Sequence, residues 1–326
     1  MDARRQLSGY LRGAGIEVGP GHNPFPLEVP GTSVQYVDRW NPEENRNLFP
    51  ELDEPEFPRP DVVCNFDEDL LRPLADATQD FVVCSHVLEH LANPLGFLGD
   101  IHRVLRPAGV ALILLPDRHR TFDQSRNPTP LAHVVADYEA GATEVDAAHI
   151  EDFLVNTAAV SGKEWSEASS EGRQALITLH RNRSIHVHCW DEPEFSSVLC
   201  YAIEHLGQTW ELVDAVFTDD GGPASIEFGY VLRRSAVFTP SQARQRFSDD
   251  LERLRQTRKR PPSHPSDSPS VPVSGELPWA QVIERKDAEI ARLRAELQAV
   301  YATKLFRYAA PLRQIYARLK ARQKRP

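Results

Sequence analysis

Short apolar runs recur along the first two thirds of the chain, each bounded by polar or turn-forming residues. Gly15–Val18, Val34–Val37, Asp61–Cys64, Phe81–Cys84 and Val110–Leu115 have the length and apolar content of buried strands. Segments with helical spacing lie between them, so the alternation predicts an α/β domain with a mainly parallel sheet. The helix that begins near Pro94 is expected to stop at Pro107-Ala108-Gly109, which leads into the fifth strand. Trp210–Phe217 and Ile226–Leu232 predict two further strands, read as an antiparallel edge pair. His186-Val187-His188 also alternates as a strand would, which places both histidines on one side.

The pattern changes past residue 238. A helix is expected over 239–256, followed by a linker over 257–278 crowded with Pro261, Pro262, Pro265, Pro269 and Pro272 and offering almost nothing to bury. In 279–300, Ile283, Ile290 and Leu297 recur every seven residues with Leu293 and Val300 beside them, the spacing of a short coiled coil. A homodimer through this seam and a lone helix packed on the body are both compatible with it. In 301–326, Leu305, Tyr308, Leu312, Ile315 and Leu319 sit among eight cations and no acid. That reads either as a basic amphipathic helix for an anionic membrane surface or as a solvated tail.

Charge sharpens this division. The chain of 326 residues carries a net −10, which leaves −18 on the first 300. An acidic body disfavours nonspecific nucleic-acid binding. The longest apolar run is far shorter than a bilayer span, and the first residues lack the apolar core of a secretory leader. The expected location is therefore cytoplasmic, with the tail allowing peripheral contact at the inner membrane face. Cys64, Cys84, Cys189 and Cys200 show no zinc spacing and are expected to be reduced packing residues.

Chemistry concentrates at the ends of the predicted strands. Glu17-Val18-Gly19-Pro20-Gly21 is a strand end followed by a glycine turn, and Asp38 closes the next strand. Gly19 and Gly21 allow close ligand approach, and Pro20 fixes the turn between them. Asn23 is expected to cap a short helix whose first turn holds Pro24 and Pro26. Glu17 suits an ammonium group, Asp38 a pair of ribose hydroxyls, and Asp67 an adenine amino group. A dinucleotide fingerprint would carry a third glycine where Pro24 stands.

These residues resemble a known family, the class I S-adenosylmethionine-dependent methyltransferases of the type 11 group. Ile16-Glu17-Val18-Gly19-Pro20-Gly21 matches its first motif, and Val37-Asp38 its ribose-binding acid. Asp80-Phe81-Val82-Val83-Cys84-Ser85-His86-Val87-Leu88-Glu89-His90-Leu91 matches its fourth-strand motif, which adds Ser85 to the cofactor residues. Arg103-Val104-Leu105-Arg106-Pro107-Ala108-Gly109 matches the stretch before strand five, with Ala108 in place of the more usual glycine. The resemblance implies a Rossmann-like sheet of order 3-2-1-4-5-7-6 over residues 1–238, with strand seven antiparallel, a polar insert after strand five and a helical C-terminal extension. It implies S-adenosyl-L-methionine as cofactor and no metal.

The methyl acceptor is expected to be a small molecule or a glycan, with surface polysaccharide synthesis as one setting. His86 is the candidate general base, needed only for a poor nucleophile such as a hydroxyl; a pocket-shaping role is the alternative. Glu89 and His90 are expected to brace the following helix. Asp117, Arg118, Arg126, His133 and His149 are the candidate acceptor-binding residues in the polar insert. Two rival readings stay open: a nicotinamide-dependent dehydrogenase or epimerase, and a non-catalytic cofactor-binding assembly factor acting at a membrane.

Overall fold

A computed structural model of the chain describes residues 3–27, 29–50, 56–157, 163–221, 225–235 and 237–259. The linker, coiled-coil and basic-tail expectations beyond residue 259 lie outside the described residues. The strands are β1 (Ala14–Val18), β2 (Ser33–Asp38), β3 (Val62–Val63), β4 (Gln79–Ser85), β5 (Leu105–Pro116), β6 (Trp210–Val216) and β7 (Glu227–Arg234). They form one sheet of order β3-β2-β1-β4-β5-β7-β6. β7 pairs antiparallel with both β5 and β6, and the other neighbours pair parallel. This is the order expected from the family resemblance, and every predicted strand is present to within a few residues, apart from His186–His188.

The central strands are apolar on both faces, as covering layers on both sides require. In β4, Val82 and Cys84 join one core and Phe81 and Val83 the other. In β5 the same alternation sends Ala111, Ile113 and Leu115 one way and Leu112 and Leu114 the other. The larger core is closed by α3 (Pro94–Val104), α8 (Glu192–His205) and α9 (Pro240–Lys259). The opposite face is covered by Leu7 of α1 (Ala3–Ser8), then Leu11 and Phe25. α2 (Pro42–Leu48) follows β2, its first turn fixed by a capping box between Asn41 and Glu44.

Local chemistry sets the other helix boundaries. The Asn93 side chain accepts the Gly96 amide at the start of α3, where Pro94 needs no acceptor. α3 ends at Val104, before the expected stop, and β5 begins at once. Ala108 adopts φ 66°, a left-handed conformation that explains why glycine is usual there. α9 runs to Lys259, into the stretch assigned to the linker, and Arg255 fixes it by a bidentate pair with the buried Glu192.

The segment after β5 is an ordered helical insert. It comprises α4 (Leu131–Ala140), α5 (Ala147–Asn156), α6 (Lys163–Ser166) and α7 (Ser170–Asn182), with a separate small core that includes Ile150, Phe153, Leu154, Trp165 and Ile177. His186–His188 is not a strand; residues 185–190 run irregularly and touch the sheet at one parallel bridge, Asp117 to Trp190. The two histidines consequently reach different partners, contrary to the period-two reading. Among the described residues no helix is long and apolar enough to cross a membrane.

Candidate active site

Glu17, Asp38 and Ser85 end three adjacent parallel strands, and Asp67 lies just past a fourth, so all four meet at the carboxyl edge of the sheet. Gly19 and Gly21 adopt φ 59° and 55°. A Cβ on Gly19 would stand 2.8 Å from a Val87 methyl, whereas one on Gly21 would meet nothing within 4 Å. The first glycine therefore serves packing and the second leaves an open face. No helix follows this turn: residues 21–27 are irregular, and Asn23 closes it through its amide to the Pro20 carbonyl. The expected helix fails because Pro24 and Pro26 prevent repeated backbone bonding.

Three carboxylates are buried here. Glu17 Oε1 accepts the Phe25 amide at 2.8 Å, and Oε2 has no partner. Burial pushes the Glu17 carboxyl up to about 7, despite that amide and the Arg4 charge. Burial likewise pushes Asp38 up to about 6, against amides of Arg39, Trp40 and Gly21. Asp67 accepts the Ala92 amide through Oδ1, while its Oδ2 stands 3.9 Å from Arg39 Nη1. Arg39 Nε and Trp40 Nε1 are buried without partners as well. Neither was singled out from the sequence, where they were only the residues after a strand end.

His86 follows β4 with φ 56°, a conformation costly for a side-chain-bearing residue and typical of functional sites. Its Nε2 lies 2.9 Å from Glu227 Oε2, and its Nδ1 lies 3.6 Å from Glu89 Oε1. Arg4 holds Glu227 through two bonds of 2.9 and 2.6 Å. Burial alone would raise the Glu227 carboxyl, but Arg4 and His86 bring it down to about 2. Glu89 is buried with both oxygens unpartnered, so it does not brace a helix by hydrogen bonding. His90 Nδ1 meets the Ile185 carbonyl at 2.9 Å.

The insert residues separate by role. Arg126 is 3% exposed and fully engaged, with Asp123, Asp152 and the carbonyls of His186 and Val187 as partners. That corrects its assignment as an acceptor-binding residue: its donors are consumed inside the fold. Asp117 caps the following turn and accepts from Thr218, and Arg118 reaches Glu194 and the Arg126 carbonyl. His133 and His149 face each other, Nε2 to Nε2, at 2.7 Å. Among the described residues, two groups bring candidate metal-ligand atoms together: Glu89, His90 and His186, and His133, Asp137, His149 and His188.

A family model described as a methyltransferase domain matches residues 18–113, the stretch that carries β2 to β4, most of β5 and the glycine turn. The domain belongs to the type 11, class I methyltransferases. A Mycolicibacterium smegmatis protein named "Probable S-adenosylmethionine-dependent methyltransferase" is 31% identical over 130 residues, 39% of this chain. The chain spans about half the length of that curated relative, 49%. A methyltransferase structure from Aquifex aeolicus aligns at 15% identity and TM-score 0.35, over 72% of this chain and 90% of that one. One from Methanosarcina mazei aligns at 14% and 0.38, over 72% and 99%.

The methyltransferase site accommodates S-adenosylmethionine on its own evidence. The orphaned Glu17 oxygen suits a cationic amino group, Asp38 suits hydroxyls, and Gly21 presents no side chain to obstruct a ligand. Burial raises both carboxyls, and a bound cation would counter that shift.

Proposed function

We propose that this chain transfers a methyl group from S-adenosylmethionine to a hydroxyl-bearing small-molecule or glycan acceptor. The observation that carries the reading is the buried, unpartnered Glu17 oxygen beside Asp38 at the sheet edge. When bound, the donor supplies an electrophilic methyl on a sulfonium. Glu17 holds the amino group, Asp38 the ribose, and Asp67 with Trp40 flanks the base. His86, donating Nε2–H to Glu227, keeps a lone pair on Nδ1 and takes the acceptor's proton there. Glu227 and Arg4 fix that tautomer and ring position. A glycan acceptor and a role in surface polysaccharide synthesis draw support from the polar composition of the insert alone.

Thermal shift with S-adenosylhomocysteine and with NAD tests the donor. Stabilisation by the former is expected, and stabilisation by NAD alone would favour a dehydrogenase. Asp38→Ala should weaken S-adenosylhomocysteine binding by about 1–3 kcal/mol in calorimetry, through loss of charged hydrogen bonds. Unchanged affinity would remove Asp38 from the ribose.

The raised carboxyls also predict a pH signature. The free protein gives up stability as pH rises through about 6 and then 7, because Asp38 and Glu17 must ionise while buried. A cationic ligand needs them ionised, so its affinity rises over the same interval and binding releases protons. Calorimetry in two buffers of different ionisation enthalpy should show that release at pH 6.5. Proton uptake instead would contradict the assignment.

A further inference from the structure

Four side chains converge within the helical insert, apart from the carboxylates at the sheet edge. His133 and Asp137 come from successive turns of α4, His149 from the first turn of α5, and His188 from the segment leading to Trp190. One ligand atom from each lies within 4.8 Å of all the others. Asp137 Oδ2 stands 3.2 Å from His133 Nε2 and 3.7 Å from His149 Nε2. His188 is fully buried and neither of its ring nitrogens has a hydrogen-bond partner. The same Asp137 oxygen is buried without one in bonding geometry.

Hydrogen bonding within the cluster accounts for only part of this arrangement. His149 Nδ1 is 2.8 Å from Asp146 Oδ1, and donation to that carboxylate leaves Nε2 with a bare lone pair. A proton on His133 Nε2 would serve one neighbour. His188 would still face the cluster without a hydrogen bond to any of its members. A divalent cation supplies the missing common partner. Three imidazoles and a carboxylate form a donor set for zinc-class ions, and the Asp146 bond to His149 is the outer support that orients metal-bound imidazoles. Bonds of about 2.0–2.1 Å place tetrahedral ligands roughly 3.3 Å apart, which the cluster reaches by modest contraction.

We propose that His133, Asp137, His149 and His188 bind a divalent transition-metal ion of the zinc class that fastens α4, α5 and the 185–190 segment together. Four protein ligands close the coordination sphere, which marks a structural site; a catalytic one keeps a position open. Sequence reading leads to the expectation of no metal, because the ligands come from three separated segments. The inference stands apart from methyl transfer and would hold for any activity of the chain.

Full-length protein purified without chelator should retain about one zinc per chain by elemental mass spectrometry. Exchange with cobalt(II) should produce the visible absorption of a tetrahedral centre. The His133 side chain is 45% exposed, so His133→Ala should fold yet bind zinc and cobalt more than about tenfold more weakly. His186→Ala, which alters the other histidine group, should keep the metal. Chelator should lower the Tm of the wild type and leave that of His133→Ala nearly unchanged. A wild-type protein that takes up neither metal overturns the proposal, as does metal loss that follows His186 instead of His133.

Discussion

His86→Ala should lower kcat by about 10²–10⁴-fold while leaving donor affinity nearly intact, the range expected for loss of a positioned general base. The ring sits directly after β4, with Nε2 bonded to Glu227 and Nδ1 beyond hydrogen-bond distance of Glu89. Alanine at φ 56° carries a backbone cost of its own. His86→Asn separates the two effects, because asparagine tolerates that conformation and still lacks a basic nitrogen. Both variants should bind S-adenosylhomocysteine and fail in transfer of labelled methyl groups to fractionated extract. Glu227→Gln should reduce kcat less, since it loosens the ring without removing it. Equal turnover by wild type and His86→Asn would leave His86 only a wall of the pocket.

Arg126→Ala should destabilise the protein by about 3–5 kcal/mol, the effect of breaking a buried ion pair from one side. The guanidinium donates to Asp123 Oδ1 at 2.9 Å, to Asp152 Oδ2 at 2.7 and 2.9 Å, and to two carbonyls of the 185–190 segment. Asp123 is 1% exposed and also meets His186 Nδ1 at 2.6 Å. Burial would raise the Asp123 carboxyl, but His186 and Arg126 hold it below the usual carboxylate range. Removing the arginine strands that charge. A loss of this size corresponds to a fall in Tm of roughly 10 °C for a domain of about 250 residues. Arg126→Met combined with Asp123→Asn should recover part of it, because the buried carboxylate is then neutral and the Asp152 carboxylate, 46% exposed, is left to solvent. A single alanine variant melting within 2 °C of wild type, on the same scale, would show the clamp to be dispensable.

Some of this was readable in the chain and some was not, for physical reasons. β1, β4 and β5 showed themselves because strands buried on both faces are apolar throughout. Glu17, Asp38 and the two glycines stand out in the sequence because strand ends and tight turns are local events. Arg4 and Glu227 escaped notice: they are 223 residues apart, and each is an ordinary surface-type residue until the fold joins them. His186 and His188 misled because alternation over three residues does not require a sheet partner. Arg126 looked like a ligand for substrate because sequence does not reveal which way a charged side chain turns.

β7 runs against its neighbours, and that reversal determines what reaches the rim. A parallel strand delivers its last residue to this edge, whereas β7 delivers its first, Glu227, opposite Pro116. Glu227 thereby reaches His86, although it lies far along the chain from the motif that identifies the family. Exchange of the described residues just before it, 217–221 and 225–226, is expected to reshape access for an acceptor and leave Glu17 and Asp38 in place. Variation in substrate choice among chains of this architecture then has a natural address, outside the segment by which they are grouped.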